Sequence, residues 1–276
     1  MLDLAKREDQ YDLERIWFAC FGGPQEYLNF YYRKRFVPSE TLVWRENGRP
    51  VSMMTLMNVE INGQKGAYVY AVATLPEYRH RGLMRKLDGF AKQIMSQRGC
   101  NFSVLVPAER TLFAMYEKLG YHADFFLWEG EIDASGEAIF PVSLCSFSDF
   151  CRMRAQFLEK LGSGVVHPLS ELRYIYEEIR QFSGEVFRID APEPGYAACT
   201  FLEDGTLFLR ECTVPDVIPA AQAVLTKLNI QHAKVRSPYV FSGSQRIPYG
   251  MGRMLSDNRS LRIEFPETLY MSLMLD

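Results

Sequence analysis

The sequence predicts an α/β (α+β) protein built on a mixed, mainly antiparallel sheet flanked by helices. Three observations carry that expectation. Short apolar runs separated by Asn47-Gly48 and Asn62-Gly63 turns fill residues 41–74. The period then becomes helical, with Leu83, Leu87, Phe90, Ala91, Ile94 and Met95 on one face and Arg85, Lys86, Lys92 and Gln93 on the other. A strand, a helix and a strand follow to residue 132.

Taken in order, residues 10–21 place Leu13, Ile16, Trp17 and Cys20 at helical spacing, and an aromatic segment from Tyr27 to Phe36 comes next. Strands are expected at 41–44, 50–59 and 66–74, and a helix after Pro76 that Gly99 stops. Residues 102–106 read as a buried strand, 109–119 as a helix closed by Gly120, and 125–132 as a strand. The polar stretch Asp133 to Glu137 marks a domain boundary, giving domains at 1–135 and 140–276. Beyond it, helices are expected near 146–161, 168–182 and 216–228, and strands near 185–190, 195–202, 206–212 and 230–236. Leu261 to Leu275 alternates as strands do. The second half repeats the coarse element order of the first.

Bulk properties narrow the function. The 276 residues carry a net charge of −3, so a general nucleic-acid binder is not expected. No apolar run approaches the ~20 residues of a membrane span, and the amino terminus has no secretory core; a cytoplasmic protein with no membrane partner is expected. The six cysteines are scattered without a C-x-x-C pair, and the four histidines lie far apart, so reduced thiols and no metal are expected.

The chemistry concentrates at Tyr70 to Met84. A strand ends, a short loop follows, and a helix opens at a glycine. The first helical turn leaves backbone N–H groups unpaired, and its dipole favours an anion. Gly82 lets a phosphate approach the backbone, while Arg79, His80, Arg81, Arg85 and Lys86 add positive charge. A diphosphate fits this description; a capped helix with a solvated basic face is the simpler alternative.

This stretch resembles motif A of the GNAT superfamily of acyl-CoA-dependent N-acyltransferases, whose Gln/Arg-x-x-Gly-x-Gly/Ala pattern is met by Arg79 and Gly82, with Met84 standing where a small residue is usual. Residues 113–121, Phe-Ala-Met-Tyr-Glu-Lys-Leu-Gly-Tyr, resemble the superfamily's second signature, Tyr-Glu-Lys-x-Gly-Phe/Tyr. A bulky residue at position 84 is similar to the Eis-like branch, which joins two GNAT-like domains in one chain and adds a sterol-carrier-like domain for which this chain is too short. The resemblance implies a GNAT fold with a second, degenerate GNAT-like domain that lacks its own acyl-CoA.

It also implies the roles. Backbone groups of Val72, Ala73 and Thr74 bind the pantetheine arm of acetyl-CoA like an added strand, with the Val72 N–H as oxyanion donor. Arg79, His80, Arg81, Gly82, Leu83 and Met84 hold the diphosphate, and Tyr116 is the general acid. For the base, Glu60, Glu77, the carboxylate after Asp276, a water chain and prior deprotonation of the amine all stay open. The aromatic cluster of Trp17, Phe18, Phe21, Tyr27, Tyr31 and Tyr32 offers an acceptor wall or a packed core. The expected reaction is acetyl transfer to a primary amine of a small molecule. A non-catalytic acyl-CoA sensor and a protein lysine or N-terminal acetyltransferase are the alternatives, and a homo-oligomer stays open.

Overall fold

The computed structural model describes residues 1–255 and 269–275. The expected strands at 261–268 and the carboxylate after Asp276 lie outside the described residues. The chain separates into two compact units. Residues 1–122 with 251–255 make the first, and residues 123–250 with 269–275 the second.

The first unit begins with β1 (Leu2–Leu4), followed by α1 (Gln10–Phe21) and α2 (Gln25–Lys34). Three strands follow, β2 (Thr41–Glu46), β3 (Arg49–Ile61) and β4 (Gln64–Thr74). Then come α3 (Leu83–Gln97), β5 (Phe102–Leu105) and α4 (Phe113–Glu117). Antiparallel pairing runs β1-β2-β3-β4, and β5 joins β4 in parallel after the α3 crossover. The β3–β4 hairpin turns at Asn62 and Gly63, both at positive φ (51° and 73°), as an Asn-Gly turn requires. At Gly66 a Cβ would come within 2.2 Å of the Phe102 ring, so only glycine lets β4 and β5 close at that rung. The expected apolar face of α3 is the buried one: Leu83, Leu87, Ala91 and Met95 lie against the sheet.

The amino terminus is stapled to β2. Arg45 grips Asp9 through two contacts of 2.7 Å and reaches Asp3 at 3.1 Å. This fork-to-carboxylate geometry is the strong form of an ion pair.

The second unit repeats the pattern with new residues. It contains β6 (His122–Asp133), β7 (Val142–Leu144), α5 (Phe147–Leu161) and α6 (Leu169–Gln181). They are followed by β8 (Glu185–Ile189), β9 (Gly195–Phe201), β10 (Leu207–Cys212), α7 (Val217–Leu228), β11 (His232–Ser237) and the start of β12 (Gln245–Met254), whose Met251–Met254 belong to the first unit. Its strands are ordered β7-β8-β9-β10-β11-β6, with β10 and β11 parallel across the α7 crossover and the other pairs antiparallel. Two helices, a meander, a crossover helix and a parallel strand thus occur twice. In the first unit β5 gains a further neighbour, because Met251–Met254 of β12 pairs with it antiparallel.

The structure departs from the sequence expectation at several elements. The 109–119 helix is a 3₁₀ turn (Arg110–Leu112) followed by only five α-helical residues. The polar stretch 133–137 follows β6 inside the second unit; the units divide before Ala123, and β6 pairs with β11 from Trp128 to Asp133. Residues 269–275 are buried but form no strand beyond one bridge between Tyr270 and Gly164.

Candidate active site

The first unit's β4 is built with a defect. Its register against β3 shifts between the Ala73–Met53 and Tyr70–Thr55 pairs, so one extra residue sits on β4, and Ala71 takes φ +49°. Such a bulge bends a strand and re-aims its groups. Pairing with β5 covers only Gly66 to Tyr68, whereas pairing with β3 continues to Thr74. Beyond Tyr68, β4 therefore keeps a strand on one side only, leaving a splayed edge that contains Val72 and Ala73.

The carbonyls at the end of this edge already accept protein donors. Ser52 Oγ donates to the Ala73 carbonyl at 2.8 Å, and Arg79 Nε and Cys20 Sγ reach the Thr74 carbonyl at 3.1 and 3.2 Å. Arg79 also contacts Cys20 Sγ at 3.6 Å. Cys20, on the last turn of α1, had no role in the sequence reading; its contact spans residues far apart in the chain.

After Thr74 a 3₁₀ turn at Pro76–Tyr78 leads to Arg79. His80 takes φ +60° and Gly82 φ +71°, and α3 begins. No side chain caps α3, and no acid stands in its first turn. The first helical bond is from Lys86 N–H to the Gly82 carbonyl, at 3.1 Å, so the amides before it are available to an anion. Leu83, only 4% exposed, anchors the loop in the core while Arg79, His80, Gly82 and Arg85 stay exposed.

These residues line a cleft of about 540 Å³, which collects Thr74, Arg79, His80, Gly82, Leu83 and Met84 from the expected set. Arg85 and, from the α4 end, Lys118 add two cations. Lys118 lies within the second motif, but nothing in its spacing showed that it would face the loop. Arg81, Val72 and Ala73 do not line this cleft. Arg81 turns back, its guanidinium 4.9 Å from the Tyr78 ring and bonded to the Glu77 carbonyl at 2.9 Å.

Tyr116 is not a cleft-lining residue either, although Met115, Lys118 and Leu119 beside it are. It is 7% exposed and packs edge-on against Tyr121 at 5.9 Å, in a core with Leu87, Leu105 and Met251. Burial, reinforced by Tyr121 and Asp88, raises its phenol well above the ordinary tyrosine range, so it carries its proton at neutral pH. Of the carboxylates considered as base, Glu60 pairs with Lys65 at the far end of the β3–β4 hairpin. It stands seven residues from Met53 along β3, about 23 Å at the usual rise. Glu60 therefore does not flank the splayed edge. Glu77 is exposed on the loop.

On the other face of the bulge, Trp17 stacks with Tyr27, Tyr31 and Tyr70 at 5.6–5.8 Å, and the Tyr27 and Tyr70 hydroxyls meet at 3.1 Å. Trp17, Tyr31 and Tyr32 line a void of about 10 Å³ against Ala71. No carboxylate lines it. Phe18 and Phe21 are partly solvent-facing, at 38% and 43% exposure.

The second unit repeats the bulge, between Leu209 and Glu211 of β10, and pairs β10 with β11 only over Leu207–Leu209, but its loop differs. The loop from β10 to α7 is Thr213-Val214-Pro215-Asp216, with an acid at the helix start and no glycine or arginine. A cleft of about 460 Å³ lies nearby, but its cations Arg152, Lys160 and Arg188 are already bonded to Asp149, Glu193 and Asp190.

A sequence model described as an acetyltransferase (GNAT) domain matches residues 2–123, the segment that carries the bulge, the loop and α4. By this match residues 2–123 are similar to GNAT acetyltransferase domains. No protein of curated function matches the chain by sequence. Solved structures share its fold across both units. A GCN5-related N-acetyltransferase from Kribbella flavida is 18% identical with TM-score 0.72, covering 92% of this chain and 72% of that one. A GCN5-related N-acetyltransferase from Anabaena variabilis is 18% identical with TM-score 0.71, covering 93% and 73%. Eis1 from Mycobacterium abscessus is 13% identical with TM-score 0.64, covering 93% and 74%. At these identities the likeness is one of fold, and it supports the GNAT architecture with a second GNAT-like unit. Among the described residues, no helix is long and apolar enough to cross a membrane, and no group of three or more His, Cys, Asp or Glu could hold a metal.

Proposed function

We propose that the protein is an acyl-CoA-dependent N-acetyltransferase that moves the acetyl group of acetyl-CoA to a primary amine of a small molecule. The observation that carries this reading is the pairing of the splayed β4 edge with an uncapped, cation-flanked helix start at Gly82 in one unit. A diphosphate fits the helix start, where backbone amides, Arg79, Arg85 and Lys118 converge. An extended pantetheine arm fits the splayed edge, with the Val72 N–H as the oxyanion donor.

The chemistry follows from that placement. The amine nitrogen attacks the thioester carbonyl, a C–N bond forms, and the C–S bond breaks. The departing thiolate takes the phenol proton of Tyr116, the amine sheds its proton to solvent, and solvent returns a proton to the phenolate before the next turnover. Burial disfavours the Tyr116 phenolate, so the proton moves only as the C–S bond opens and charge develops on sulfur. On the other side of Ala71, the exposed rings of Phe18 and Phe21, the latter packed edge-on against Trp17, offer apolar faces. This favours an amine with a flat apolar body over a polycation.

Calorimetry with acetyl-CoA, followed by thiol release with phenethylamine, spermidine, an aminoglycoside and a lysine peptide, tests the proposal. Binding with fastest turnover of phenethylamine supports it. Binding without turnover would favour an acyl-CoA sensor, and absence of binding would overturn the reading.

A further inference from the structure

The proposed reaction needs Tyr116 held in one pose, and α4 cannot hold it alone. The helix has five residues, far short of the ~12–15 at which isolated helices become even marginally stable. Gly120, at φ +86°, turns the chain away immediately after it. The pose must be set from outside.

Arg253 of β12 is placed to do this. Its Nη1 donates to the Leu119 carbonyl at 3.0 Å and meets Asp88 Oδ1 at 2.9 Å. Its guanidinium lies 4.2 Å from the centroid of the Tyr121 ring. Leu119 and Tyr121 are the two residues whose backbone N–H groups donate to the Tyr116 carbonyl, at 2.9 and 3.2 Å. Tyr121 also presents its ring to Tyr116, and its hydroxyl is fixed by Ser103 Oγ of β5 at 3.0 Å. One side chain thus grips both residues that define the end of α4 and ties them to Asp88 on α3, the helix whose start opens the diphosphate cleft.

Stability does not explain this arginine. It is 5% exposed, and its Nε and Nη2 have no partner among the described residues. Burying such groups costs free energy that an apolar side chain of similar length avoids. We propose that Arg253, together with Asp88, is the positioning residue that fixes Tyr116 for proton delivery to the departing thiolate. The inference rests on the reading of Tyr116 as the acid. It makes β12, a strand far from both sequence motifs, part of the active-site support.

The test is a double-mutant cycle on kcat, using Arg253→Met in wild-type and Tyr116→Phe backgrounds with the amine that turns over fastest. Asp88 keeps Lys92 at 3.5 Å, so Arg253→Met leaves no lone carboxylate. Arg253→Met should lower kcat about tenfold and leave the acetyl-CoA KM within about twofold, with no further loss in the Tyr116→Phe background. The same tenfold loss in both backgrounds would show a merely structural role and overturn the inference. If Tyr116→Phe alone keeps wild-type kcat, the acid reading falls first and takes this inference with it, a distinguishable result. Asp88→Asn, nearly isosteric, should show the same pattern if Arg253→Met does not fold.

Discussion

Replacing Gly82 with glutamate should remove acetyl-CoA binding while the fold survives. A Cβ at Gly82 meets nothing within 4 Å, so the change creates no clash. The residue stays at φ +71°, where a side chain costs ~1–2 kcal/mol. For a chain of this size that lowers the melting temperature by roughly 2–4 °C per kcal/mol. The new carboxylate would stand about 5 Å from a diphosphate, which at an effective dielectric between 20 and 80 costs about 1–3 kcal/mol per phosphate charge. Two charges give about 2–7 kcal/mol, or at least ~30-fold weaker binding. Gly82→Ala carries the same backbone strain without the charge and should lose less than about tenfold. Calorimetry at low salt with a thermal melt on each variant measures both effects. A folded Gly82→Glu protein with wild-type affinity would refute the placement of the diphosphate. Equal losses for both variants would refute the electrostatic argument.

Four further outcomes are expected. Tyr116→Phe should lower kcat about 100-fold while the acetyl-CoA Kd changes less than about twofold, since the lost proton acts only in the chemical step; equal loss of both would mean that the ring only packs. Arg79→Met should weaken acetyl-CoA binding about tenfold and flatten its salt dependence, because a charged fork facing the diphosphate and the Thr74 tether are lost together; unchanged affinity by calorimetry would place Arg79 outside the site. In the second unit, Arg154 lies between Glu211, at 2.6 Å, and Tyr196, at 2.9 Å, and Tyr270 bonds Glu211 at 2.7 Å. Glu211→Gln leaves that arginine uncompensated and should cost about 3–5 kcal/mol in urea unfolding; a loss under about 1 kcal/mol would contradict it. His167 is held neutral by burial and by the Arg154 charge, its pKa pushed down to about 3 from 6.5. The unfolded chain gains a proton first as pH falls, so stability present above about pH 6.5 is lost on acidification towards pH 3. Between pH 7 and 4.5 the wild type should lose on the order of 3 kcal/mol more than His167→Asn, and parallel pH slopes would contradict this.

Much of the fold could be read because local pattern and tertiary burial agree. The Leu83, Leu87, Ala91 and Met95 stripe is buried as its spacing implies, and both Asn-Gly turns close hairpins. What escaped has physical causes. β1 and β7 are three residues each, too short to show alternation. β12 contains Pro248, Gly250 and Gly252, which signal turns locally, yet pairing with β5 holds the segment extended. The 109–119 helix is shorter than its spacing implies because its first turn winds as 3₁₀. At the site, the loop residues that share the cleft follow from the motif, since a glycine at positive φ and a helix start are local properties. Lys118, Cys20, Asp88 and Arg253 take their places through contacts between distant segments. Arg253 meets Asp88 across 165 residues of chain, a separation no local pattern encodes.

A crystal structure of the protein with coenzyme A tests the central claim most directly. The account predicts the diphosphate within hydrogen-bond distance of the backbone amides from Gly82 to Arg85, and the pantetheine arm along β4 beyond Tyr68. Coenzyme A bound instead in the second unit, beside Arg152 and Arg188, would contradict it.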